Sequence, residues 1–96
     1  MLLMEQRENE AEASNLSRLQ SFVGAAMRRS AGLSPERARR LLQTHAEVIR
    51  RHLQALSGWA SSPAAGPCPS YLIGLSAFDL ADAAEALEAE AARRCA

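Results

Sequence analysis

The chain has 96 residues, with eleven basic and eleven acidic side chains, so its formal net charge is zero. That length makes one domain, with room for a single modest core. Apolar residues make up 48% but aromatics only 4%, and much of the apolar content is Ala, which favours helix-on-helix packing and argues against a sheet.

Residues 1–13 (MLLMEQRENEAEA) are helix-forming in composition but carry no clear apolar stripe. They read as a flexible or frayed acidic arm ahead of a single helical domain at 14–96. Ser14 or Asn15 can cap a first helix over about 15–30. Leu16, Leu19, Val23, Ala26 and Met27 share one of its faces, with Phe22 beside them. Gly24 in mid-helix marks a crossing point or a tolerated cost. Gly32 is placed to close the helix in the left-handed conformation.

The clearest helix is 35–56. Ser34 is its cap and Pro35 its first residue, where a missing N–H costs nothing. Ala38, Leu41, Leu42, His45, Ile49, His52, Leu53 and Leu56 recur at three- and four-residue steps and form one stripe. Arg39, Arg40, Arg50 and Arg51 lie on the opposite face. Residues 57–69 (SGWASSPAAGPCP) form a linker in which the prolines exclude helix. Trp59 within it either folds over the core end, against Leu56, Leu72 and Ile73, or stands out as a partner anchor. Ser70 can cap a third helix over 71–94. Ile73, Ala77, Leu80, Ala84, Leu87 and Ala91 form its stripe, widened by Tyr71, Leu75 and Phe78.

Charge is segregated along the chain. Residues 1–12 carry −3, residues 28–51 carry +5, and residues 77–96 carry −3. Either the acidic ends neutralise the basic middle internally, or the middle is a basic surface for an acidic partner or nucleic acid.

Little in the sequence carries catalytic chemistry. His45 and His52 lie about 10 Å apart along one helix face, too far to share one metal ion. Cys68 lies between two prolines without a second ligand at metal spacing. Cys68 and Cys95 are separated by a long helix, so a bridge between them is not expected. Asp79, Asp82, Glu85 and Glu88 form a solvated helix face. There is no phosphate-binding glycine loop and no nucleophile–base arrangement. The chain reads as a non-enzyme without metal or cofactor. Nothing approaches the ~20 apolar residues of a membrane span, and the opening MLLM lacks the basic region of a secretory signal. A soluble cytoplasmic protein is expected.

The stretch FVGAAMRRSAGLSPERARRLLQ, residues 22–43, resembles a helix-turn-helix. Its Gly-Leu-Ser is similar to the turn of AraC-type DNA-binding domains. That resemblance implies groove contacts by Glu36, Arg37, Arg39, Arg40 and Gln43, and phosphate contacts by Arg28 and Arg29. Its 22-residue second helix is longer than a groove needs. Gly32-Leu33-Ser34-Pro35, Thr44-His45 and Gly66-Pro67 occur in the order of similar signals in TraM-type quorum-sensing anti-activators. The spacings differ, so that comparison implies a shared design, a long helical hairpin acting by contact, rather than kinship.

The sequence therefore predicts an all-α fold of three helices. The second and third form a long antiparallel hairpin, completed by dimerisation because the first helix is too short to cover their seam. The expected function is a helical protein–protein interaction module: an adaptor, chaperone or regulator such as an anti-activator. Its partners would be another protein and itself, and Trp59, Arg39, Arg40, Arg50 and Arg51 are the candidate partner-binding residues. The alternative is a helix-turn-helix DNA-binding regulator.

Overall fold

The computed structural model describes residues 2–62 and 66–95, and the side chains of 14–62 and 66–94. Helix α1 spans Leu2–Ala31, α2 spans Pro35–Ser61 and α3 spans Ala77–Cys95, with a 3-10 turn at Ser70–Leu72 before α3. No strand occurs among the described residues. The molecule is elongated, 52 × 27 × 15 Å.

The core forms where apolar stripes meet. Leu42, Ala46 and Ile49 of α2 pack on Leu80, Ala84, Leu87 and Ala91 of α3, and Ala26 of α1 closes the cluster. Alanine at four of these eight positions lets the helix axes approach closely, because little side chain stands between them. Helices α2 and α3 make the most extensive pairing, and α3 runs back along α2. Tyr71, ahead of α3, meets His52, while Glu88 well along α3 lies beside Gln43 and Glu47. Helix α1 lies across this pair with much less of its surface covered. Leu19, Phe22, Val23 and Met27 are only partly buried against the core, and Leu16 is exposed.

Several element boundaries differ from the sequence reading. Helix α1 begins at Leu2 rather than near residue 15. The Leu, Glu, Gln, Arg and Ala of this stretch are good helix formers, and no Gly or Pro interrupts them. The side chains of the expected acidic arm lie outside the described residues. Gly32 does not adopt the left-handed conformation, since Gly66 and Gly74 are the described residues with positive φ. Helix α1 ends instead through tight bonds, from Gly32 N–H to the Arg29 carbonyl and from Leu33 N–H to the Ser30 carbonyl.

Helix α2 starts as expected, with Ser34 Oγ accepting from the Arg37 N–H, but runs five residues further, to Ser61. The linker begins only there, because Gly58 alone does not break a helix and the first proline is Pro63; residues 63–65 of the expected linker lie outside the described residues. The largest correction is at α3, which starts at Ala77 rather than Tyr71. Gly74 has φ of 81°, and Ser76 forms a capping box with Asp79. Ser76 Oγ accepts from the Asp79 N–H at 3.0 Å, and Asp79 Oδ2 accepts from the Ser76 N–H at 3.2 Å. Tyr71 therefore sits in the 3-10 turn and Ile73 in the bend after it. Ala77 and Phe78 leave the expected stripe, and Phe78 is 78% exposed.

Candidate functional site

The incomplete cover of α1 leaves an apolar groove. Leu19 and Phe22 of α1 form one wall, Val48 and Ile49 of α2 the floor, and Leu75 and Leu80 the far side. Its volume is about 320 Å³, at the low end of the ~300–1,000 Å³ of ligand sites. The polar residues around it are Asn15, Arg18, His52 and Tyr71. Among the described residues no acidic side chain lines it, and Arg18 brings a guanidinium to it.

Asn15 builds the groove's far end. The sequence reading offered it as a helix cap, but it lies within α1 and is buried. Its Nδ2 donates to the Ser70 carbonyl and to the Ile73 carbonyl, each at 2.8 Å. A single amide group thus ties α1 to both ends of the 3-10 turn and holds Tyr71 at the groove rim. Buried Leu72 anchors the same turn from the other side.

The two histidines are fixed in the same way. His45 Nδ1 lies 2.8 Å from the Leu41 carbonyl and His52 Nδ1 lies 2.8 Å from the Val48 carbonyl. A carbonyl only accepts, so Nδ1 carries the proton and donates in both rings. His45 also stacks against Phe22 with ring centroids 4.6 Å apart. His52 meets Tyr71 edge to face at 5.5 Å. Both rings act as packing elements between helices.

The residues expected to contact a partner differ in their surroundings. Arg50 is occupied within the chain: its Nε donates to Glu88 Oε2 at 3.0 Å and its Nη2 to Glu88 Oε1. Hydrogen bonding from Arg50 holds the Glu88 carboxyl below its ordinary value, against a smaller opposing effect of burial. The Glu88 carboxylate in turn raises Arg50, through the same hydrogen bonds and its charge. This pair joins the basic middle to the acidic third helix. Arg40 pairs with Glu36 one turn back, at 2.7 Å and exposed. Arg39 is partly buried and Arg51 exposed.

Trp59 lies in the last turn of α2, partly buried, and its Nε1 donates to the Gly66 carbonyl at 3.1 Å. It ties down the chain leaving the helix. A second basic zone surrounds the α1–α2 turn, where Arg28, Arg29, Arg37 and Arg40 are exposed.

No protein-family model matches this chain, and no match was found among curated proteins or solved structures. The function therefore rests on the geometry. Among the described residues no group of three or more His, Cys, Asp or Glu is placed to hold a metal ion. The Cys68 thiol is free. No described helix is long and apolar enough to cross a membrane.

None of the groove residues was among the expected partner-binding residues: most were read as apolar stripe, Asn15 as a helix cap, and Arg18 and Val48 were given no role. Asn15 carried a signal, since Asn is a poor helix former and inside a helix it needs a tertiary reason. Arg18 carried none.

Proposed function

We propose that this chain is a small helical protein–protein interaction module, an adaptor, chaperone or regulator of the anti-activator kind, that works by docking a helical face on a protein partner and forms a homodimer. The observation that carries this reading is the open apolar groove beside α1. It exposes Leu19, Phe22 and Val48 in part, on a chain too small to leave such area unused. Its described rim is polar and carries Arg18 but no acid, which suits an apolar helix flanked by carboxylates. Most of the lining residues are borne on α-helices, and Asn15 and His52 are tied to backbone carbonyls, as a preformed docking surface requires.

The test is affinity capture from the native host with wild type and with Val48→Glu, which places a carboxylate on the groove floor at a half-buried site. The reading expects a defined protein held by wild type and lost with Val48→Glu, while circular dichroism stays unchanged. Capture of the same protein by both would overturn it.

A second reading is favoured by one observation, the exposed arginines Arg28, Arg29, Arg37 and Arg40 around the α1–α2 turn. In that reading the chain is a helix-turn-helix regulator acting through residues 22–43, with the turn arginines on phosphates. It expects duplex DNA binding that weakens steeply with salt and is lost in Arg28→Ala/Arg29→Ala. No mobility shift at low salt would dispose of it.

A further inference from the structure

The groove is polar at one end and apolar along the rest. Asn15 bonds to the Ser70 and Ile73 carbonyls, which joins α1 to the segment ahead of α3 and closes that end. The His52 ring meets Tyr71 there. Arg18 lies three residues past Asn15, so it is the next side chain on the same face of α1. Two turns past Asn15, about 10 Å along the axis, Phe22 stacks on His45, which lies two turns back from His52. Helices α1 and α2 therefore run antiparallel, and their polar groove residues meet at the same end. Beyond that end the walls are Leu19, Val48 and Ile49, all apolar.

Arg18 is the charge at the polar end, and nothing in its own helix is placed to neutralise it. The residues three and four positions away are Ser14, Asn15, Ser21 and Phe22. Its side chain is exposed, and no ion pair engages it among the described residues. The Tyr71 hydroxyl is a second donor lining the groove. A cavity of about 320 Å³ with apolar walls and a guanidinium at its closed end fits a short amphiphile. The tail of such a molecule removes the walls from water, and its carboxylate matches the fork of the guanidinium. A cationic head would be repelled there, and a neutral head would leave Arg18 without a counter-charge.

We infer that the groove binds a small free monocarboxylate of the fatty-acid type, with its carboxylate on Arg18 and its tail between Phe22 and Val48. This goes beyond the docking reading and adds regulation to it: the bound acid occupies the walls that a protein partner would need.

An NMR titration of the full chain with sodium octanoate tests it, with octan-1-ol and octylammonium as head-group controls and circular dichroism as the check on folding. Octanoate gives saturable amide shifts gathered at Arg18, Leu19, Phe22, Val48 and Tyr71. Octan-1-ol binds several-fold more weakly, and octylammonium more weakly still. Arg18→Gln weakens octanoate several-fold, a modest factor because water screens an exposed guanidinium, and leaves octan-1-ol unchanged. No saturable shift at millimolar octanoate overturns the inference. So does octan-1-ol binding as tightly as octanoate, or shifts gathered at Arg28, Arg29 and Arg37, which would mark a general anion effect. Octanoate binding without Val48-dependent capture of a protein supports this site and refutes the docking reading. Capture without octanoate binding overturns this inference alone.

Discussion

Removing the Asn15 amide is the sharpest perturbation of the groove's architecture. Asn15→Ala deletes two hydrogen bonds, to the Ser70 and Ile73 carbonyls. A typical intramolecular hydrogen bond contributes about 0.5–1.5 kcal/mol net, so the pair contributes about 1–3 kcal/mol. Ser70 is exposed and Ile73 half-buried, so water can rehydrate the first carbonyl more easily than the second. The middle of the range, about 2 kcal/mol, is therefore the expected loss. In a domain of this size 1 kcal/mol moves the melting temperature by about 4–8 °C, so a fall of about 8–16 °C is expected. Thermal unfolding by far-UV circular dichroism measures it.

Asn15→Asp refines the test, since it keeps shape but turns an acceptor toward two acceptors. It should be worse than Ala near neutral pH and recover in acid. The facing carbonyls and burial favour the protonated acid, raising the folded pKa above the unfolded value of about 3.9. The folded state then binds the proton more tightly, so the recovery is present at low pH and is lost as pH rises through that raised value. Asn15→Ala melting within a couple of degrees of wild type would refute the claim that this amide holds the turn.

Further outcomes follow from the same geometry. Leu80→Ala, at a site 1% exposed, should cost about 2–5 kcal/mol in denaturant unfolding, while Phe78→Ser two residues away should stay within about 0.5 kcal/mol. Gly24→Ala should stabilise by up to about 1 kcal/mol, since its methyl would meet only the flexible end of Arg28, 3.2 Å away. A loss of stability would show that α1 packs more tightly there than described. Glu88→Gln should flatten the acid limb of the stability profile. The lowered Glu88 contributes stability above the usual carboxylate value of 4.5 that is lost as pH falls through its folded value. An acid limb identical to wild type would show the Arg50 pair to be inert.

Much of the architecture was legible in the sequence because the α2 and α3 stripes are strongly periodic. Leu42, Ile49, Leu80, Ala84, Leu87 and Ala91 fall in the core as the spacing requires. Ala46 was passed over because its neighbour His45 was placed on the stripe, yet Ala46 is the buried one of the two. The start of α3 was missed because Ser70 and Ser76 both offer caps. The deciding pair, Gly74 with positive φ and Asp79 three residues past Ser76, lay inside the expected helix. The groove was legible only as an expectation of uncovered surface. Which residues line it depends on where α1 crosses the hairpin, and that is set by the bond of Asn15 to carbonyls 55 and 58 residues away. Arg50 illustrates the same limit. One helix wheel places it on a free basic face, while the fold sets Glu88 beside it.

The most direct test of the central claim, that the groove beside α1 is the surface through which the chain forms its homodimer, is to follow backbone amide shifts by NMR across a wide dilution series. The account predicts concentration-dependent shifts gathered at Arg18, Leu19, Phe22, Val48 and Leu75, with Arg39 and Arg40 unmoved. Spectra that do not change with concentration, or changes gathered on the Arg39–Arg40 face instead, would contradict it.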